Sequence, residues 1–328
     1  MLAYIIRRIL YMIPTVILIS IICFIIIQLP PGDYMTTYTA RLRSVGGEVS
    51  QEAIENLRIH YGLDQPLYKQ YFLWISGFPR GDFGIAMSII DTPVLQIIGR
   101  GFLLTFILLL ITLIFTLVVA ISIGVYSATH KYTIIDHLLS FLAFIGMAIP
   151  PFLLALGLMF ISVFYFNAQS IGGLFSPGYE SFPWWGKIFD FIKHLPMPVI
   201  AIGIANIAIM MRIMRGNLMD ILACQYIQTA RAKGLKEVTV IYKHAVRIAI
   251  NPIISRVGMS LPEIVAASMV VEILLNLPTI GPVFYRALIM QDMYLAGTIL
   301  LIISVVLLLS NLAADILLVW TDPRICYD

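Results

Sequence analysis

Residues 102–128 read FLLTFILLLITLIFTLVVAISIGVYSA, without one charged side chain. At a helical rise of about 1.5 Å per residue, the run is long enough to cross the roughly 30 Å hydrocarbon core of a bilayer. Similar runs with few or no charges recur at about residues 9–29, 138–166, 195–211, 250–274 and 293–320. The pattern predicts six membrane-spanning helices and an all-α, polytopic membrane protein. Composition agrees: 60% of the 328 residues are apolar and 12% charged, against roughly 25% charged in an ordinary soluble domain.

The first run follows Arg7 and Arg8 as a signal peptide's would, but lacks a small-residue cleavage site, and it reads as a retained anchor. Cys23 lies in that run, while Cys224 and Cys326 fall in segments assigned below to the cytoplasm, so no disulfide framework is expected. A net charge of +3 without a basic, aromatic-interleaved stripe gives little support to nucleic-acid binding.

Six spans place both termini on one side. With cytoplasmic termini, the inner segments 1–8, 129–137, 212–256 and 321–328 hold twelve of the 21 basic residues, which the positive-inside bias favours. No internal repeat is visible, and the chain reads as one membrane domain, 1–328, with three excursions.

The outer segment 30–101 opens on the helix-stopping Pro30, Pro31 and Gly32. Ser50 caps an amphipathic stretch that ends at Gly62, Pro66 opens a second with Leu67, Tyr71 and Trp74, and Thr92 with Pro93 predicts the start of a third helix. A small helical cap is expected. A second outer loop, 167–194, carries Trp184 and Trp185, which read first as headgroup anchors.

The inner segment 212–256 is the longest cytoplasmic stretch. Leu218, Leu222, Tyr226 and Ala230 recur at helical spacing, and Lys233 before Gly234 gives a basic last turn and a left-handed stop. A second amphipathic stretch runs from Glu237 to Ala249. Ala230 and Ala232 would let another protein's backbone approach, with Gln228, Thr229, Arg231 and Lys233 as polar contacts around them. The plainer alternative is a basic amphipathic surface helix on anionic headgroups.

Within the spans, Pro150 and Pro151 predict a kink, and Asn206 is a polar group in apolar surroundings. Were the chain a transporter, both would be candidates for the translocation path; otherwise their roles are purely structural. Glu263 inside the fifth span costs a few kcal/mol unless it faces water or a partner, and is the stronger pathway candidate. Asp315, near the end of the sixth, is expected at the inner headgroups or against a neighbouring helix.

The segment Tyr226-Ile-Gln-Thr-Ala-Arg-Ala-Lys-Gly-Leu235, with His244-Ala-Val-Arg247 and Asn251-Pro252 after it, resembles the cytoplasmic loop of ABC importer permeases, specifically the dipeptide, oligopeptide and nickel branch. Relative to the general superfamily pattern the chain keeps Ala230 and Gly234, while Gln228 and Thr229 replace an acidic residue and an alanine, as in the peptide-branch variant. The resemblance extends through Tyr4-Ile-Ile-Arg-Arg8, Pro31-Gly-Asp33, Gly62-Leu-Asp-Gln-Pro-Leu67, Arg80-Gly-Asp-Phe-Gly84, Ile149-Pro-Pro-Phe152, Glu272, Pro278, Gly281 and Asp322-Pro-Arg324.

That resemblance implies the type I importer fold, a homologous second permease, two ATP-hydrolysing subunits and an extracytoplasmic solute-binding protein, all in a prokaryotic plasma membrane. It places Gln228 to Leu235 in a groove of an ATPase and Glu272 at a subunit interface or gate. No phosphate-binding motif is present, so ATP and magnesium are expected on the partners and no cofactor or metal on this chain. Peptides are the expected cargo, with oligosaccharides or nickel complexes as alternatives. An integral membrane enzyme lacks a convergent catalytic set here. A secondary transporter or channel working without an ATPase is the competing transport reading.

Overall fold

The computed structural model describes residues 2–44, 46, 47, 50–89, 92–166 and 172–321, with side chains from residue 5 to residue 316. The Asp322-Pro-Arg324 match and Cys326 lie outside the described residues. Among the described residues five helices are long and apolar enough to cross a membrane: Ile5–Gln28, Val94–Thr129, Pro196–Leu222, Asn251–Leu274 and Met293–Ile316. A sixth crossing arises if the bent pair Ile134–Ala148 and Pro151–Phe164 counts as one span.

In chain order the helices are α1 (Leu2–Gln28), α2 (Tyr34–Ser44), α3 (Gln51–His60), α4 (Leu67–Gly77), α5 (Val94–Thr129), α6 (Ile134–Ala148), α7 (Pro151–Phe164), α8 (Trp184–His194), α9 (Pro196–Leu222) and α10 (Gln225–Ala232). There follow α11 (Glu237–Thr239), a π-helical turn (Val240–Val246), α12 (Arg247–Ala249), α13 (Asn251–Leu274), α14 (Ile280–Ile289) and α15 (Met293–Thr321). The chain divides into two compact units, one of residues 1–105 with 278–309, the other of 106–277 with 310–328.

In the first unit, α1 and α4 pack with the start of α5, α14 and α15 around Phe24, Trp74, Ile98, Ile280 and Ala296. Trp74 reaches this apolar core because its indole N–H has a buried acceptor, Thr298 Oγ1 at 3.2 Å. Ser50 caps α3 as its sequence position predicts, accepting from the Ala53 amide. Two carboxylates tie this region. Asp33 accepts from the Thr36 amide at 2.8 Å and from Arg58 at 2.7 Å. Partial burial alone would raise the Asp33 carboxyl, but the bonds from Thr36 and Arg58 outweigh it and hold it below the usual range. Fully buried Asp292 caps α15 through the Leu295 amide and accepts from the amide and hydroxyl of Ser88; burial pushes its carboxyl upward despite these bonds.

One expectation for this region is corrected. Thr92 and Pro93 do not open a separate outer helix; they pair with Ile85–Ala86 in a two-residue antiparallel ladder, and α5 then runs unbroken from Val94 to Thr129. No proline lies between residues 94 and 102 and the helix carries Gly99 and Gly101 through, so the predicted third helix is the first turns of the second span.

In the second unit α9 is buried along most of its inner face and packs against α6, α7 and α13. Its crossing with α5 depends on two glycines. A Cβ at Gly124 would lie 2.7 Å from the Met214 Cβ, and one at Gly203 would lie 2.9 Å from the Thr116 hydroxyl. Small residues let helix backbones approach where apolar burial gives no net drive, because lipid tails are as apolar as the side chains.

The expected kink at Pro150–Pro151 is a break. Ile149 and Pro150 are extended, α7 restarts with Pro151 in its first turn, and the two helices meet at 107°. A residue before proline is driven out of the helical region, and here two successive residues precede one. The turn between α5 and α6 is held by a polar cluster. Asp136, fully buried, receives Arg215 Nε at 2.9 Å and Nη2 at 2.8 Å, the Tyr132 amide at 2.9 Å, and the Ser127 hydroxyl.

Removing one partner of a buried pair strands the other charge. Arg215→Ala is expected to destabilise the fold by about 3 kcal/mol, read as a lower unfolding temperature of the purified protein in detergent. The double variant Asp136→Asn with Arg215→Met is expected to recover most of that loss.

Candidate functional site

Helix α10 follows α9 after a break at Ala223 and Cys224, where Cys224 turns extended. This corrects the single helix expected from Leu218 to Ala230, since the four-residue spacing continues across a break that no glycine or proline marks. On α10, Ile227 and Ala230 point inward, into a buried cluster with Met214, Leu218, Val240, Ala245 and Ile253. Gln228, Thr229, Arg231, Ala232, Lys233, Gly234 and Leu235 are exposed. Ala230 therefore anchors the helix, and the small residues left on the open side are Ala232 and Gly234.

The stop after α10 is built as a Schellman turn. The Gly234 amide donates to the Arg231 carbonyl at 2.9 Å and the Leu235 amide to the Ala230 carbonyl at 3.4 Å. Gly234 has φ +75°, and a Cβ there would meet nothing within 4 Å, so a larger residue meets backbone strain and not a clash within this chain. Across the turn Arg231 grips Glu237, with Nη2 at 2.6 Å and Nε at 3.2 Å from the two carboxylate oxygens. This bidentate bond holds the Glu237 carboxyl below its ordinary value.

The return path, α11 to α12, is the second amphipathic helix of the sequence, with a π-helical centre at Val240–Val246 that places Val240 and Ala245 in the α10 cluster. Beneath the turn is an open cavity of about 1010 Å³, lined in part by Tyr126, Lys131, Asp220, Gln228, Arg231 and Glu237.

The pathway candidates do not share one exposed face. Pro150 and Pro151 make the break between α6 and α7. Asn206 is buried in α9, and its Oδ1 has no hydrogen-bond partner among the described residues. Glu272 is fully buried near the end of α13. Glu263 is on the surface of α13 and is paired with Arg256, both carboxylate oxygens at 2.9 Å from one guanidinium nitrogen. Sequence reasoning missed this pair and the Asp136 cluster. The seven-residue spacing, two helical turns on one face, was available for the first; the second joins residues 79 positions apart.

Two families match the chain. Residues 120–327 fit the binding-protein-dependent transport system inner membrane component, and residues 1–102 its N-terminal part. The chain belongs to the binding-protein-dependent transport permease family. It is 37% identical to the oligopeptide transport system permease protein AppB of Bacillus subtilis, with all of both chains covered. It is 32% identical, again over the whole of both chains, to the glutathione transport system permease protein GsiC of Escherichia coli K12 and of Shigella dysenteriae. This family member is thus a multi-pass, inner-membrane transport component of a bacterial importer.

The Arg231 bond makes the α10 turn insensitive to pH near neutrality, because a depressed carboxyl keeps its charge until pH falls through its lowered value. Glu237→Gln is expected to speed hydrogen exchange at the Gly234 and Leu235 amides at pH 7. Wild-type protein should show the same loosening only below the ordinary glutamate value of 4.5.

Proposed function

We propose that this chain is the permease subunit of a peptide importer in which α10 is the coupling helix. The supporting observation is the exposed edge from Gln228 to Leu235, which is anchored from behind by Ile227 and Ala230 and stopped by a clamped glycine turn. A projecting, rigid helix of this kind transmits a push without absorbing it. Full-length similarity to permeases named for oligopeptide and glutathione transport supports short peptides as cargo.

In this reading both termini are cytoplasmic, and the chain works beside a homologous second permease. Two partner subunits bind magnesium and ATP and hydrolyse it, and each grips one permease's coupling helix. Their closure displaces α10 and α9 together and shifts the spans between outward-open and inward-open arrangements, a two-state equilibrium biased by nucleotide. A solute-binding protein delivers cargo at the outer face. Pro150 and Pro151 then supply a bend, and Asn206 of α9 and Glu272 of α13 supply buried polar groups.

Gly234→Val tests the lever. The substitution strains the left-handed turn and places a branched side chain where a partner surface approaches. With its companion subunits in proteoliposomes, the variant is expected to insert normally and lose ATP-driven uptake by at least tenfold. Wild-type uptake by the variant would refute the coupling assignment. Solute accumulation by this chain alone would refute the importer reading.

A further inference from the structure

Helix α13 has two unlike faces. Its inner face carries Ile253, Gly258, Ser260, Ile264 and Ser268, all buried. Its outer stripe runs Ser255, Met259, Glu263, Ala266 and Val270 at three- and four-residue steps, with Arg256 at its edge. The exposed faces of α1, α5, α6 and α7 are dominated by Leu, Ile and Phe, as contact with lipid requires, whereas the exposed positions of α13 include none of those three. A charged pair midway along a span, on a face whose exposed positions include Ser255, Met259, Pro262, Ala266 and Val270 without Leu, Ile or Phe, fits a wet path through the protein.

The pair is incompletely satisfied. One nitrogen of Arg256 serves both oxygens of Glu263, and the buried Nε has no acceptor among the described residues. The Glu263 side chain is 47% exposed. The guanidinium thus keeps donors in reserve, and the carboxylate keeps lone pairs open to an incoming ammonium.

We infer that Arg256 and Glu263 form a cargo site for the two ends of a short zwitterionic peptide. The pair opens as cargo enters, Arg256 taking the terminal carboxylate and Glu263 the terminal ammonium. Seven residues of helix separate the two positions by about 10 Å along the axis, close to the roughly 10 Å reach of an extended tripeptide. The pair closes again behind the cargo, so neither charge is left bare between cycles. This rests on the peptide-importer reading above.

The test is ATP-driven uptake by the complete complex in proteoliposomes, using trialanine and its N-acetylated and C-amidated forms. Each variant is compared with wild type using the same binding protein, so that protein's own preference cancels. Glu263→Gln is expected to cut the advantage of the free amino terminus about tenfold while leaving that of the free carboxylate. Arg256→Gln is expected to do the reverse, at about the same magnitude. Should a single variant fail to assemble, the exchange Arg256→Glu with Glu263→Arg keeps a pair and must retain selectivity for free over blocked ends. Equal losses for free and blocked peptides, unchanged selectivity, or an exchange variant that does not assemble would each overturn the inference. A wild-type complex that takes up no trialanine would instead refute the peptide-importer reading beneath it.

Discussion

In hydrocarbon no backbone amide or carbonyl has water to bond, so each must find its partner within the protein. That constraint sets where this chain is helical and where it is allowed to stop. Its spans are unbroken except where the sequence removes a donor or a side chain supplies a partner. At Pro150 and Pro151 the chain gives up helical geometry, and the Pro150 carbonyl is reused at once by the amides of Leu153 and Leu154. At Asn276, with φ +47°, the Leu277 amide returns to the Glu272 carbonyl, the same closure that Gly234 gives α10. These two breaks are closed turns.

The same constraint governs the charged groups. Asp136 and Asp292 are fully buried, and each is surrounded by donors: Arg215, Ser127 and the Tyr132 amide for one, Ser88 and the Leu295 amide for the other. Arg256 and Glu263 differ: the first is partly buried, the second half-exposed, and among the described residues their side-chain bonds are to one another. A fully bonded carboxylate holds a turn in place. A loosely bonded pair on an open face is free to exchange partners.

Much of the fold was legible because hydrophobic run length is a strong signal in a chain this apolar. The predicted runs at 250–274 and 293–320 lie within one residue of α13 and α15, and the run at 9–29 ends within one residue of α1, which starts seven residues earlier. Local chemistry was legible too: Ser50 caps α3 and Gly234 ends α10, because both act through near neighbours. What escaped was either unmarked or non-local. Ala223 and Cys224 carry no breaker, so the α9 to α10 break comes from packing, with Leu218 and Ile227 both committed to one buried cluster. Ala230 looked available for docking because spacing shows a stripe's position without showing which side the core lies on.

In the proposed coupling role, the placement of α10 would let a short helix act on long ones. It is eight residues long and would be marginal alone in water, yet Ile227 and Ala230 share a core with Met214 and Leu218 of α9 and with Ala249 and Ile253 where α13 begins. Arg215, the residue after Met214, ties α9 to Asp136 at the start of α6. A displacement applied to the exposed edge of α10 therefore meets no soft joint before it reaches α6, α9 and α13. Close-packed interiors transmit strain and do not absorb it. The bend at Pro150 and Pro151 differs, because among the described residues no helical hydrogen bond crosses it from α7 to α6, so a change in angle there breaks none.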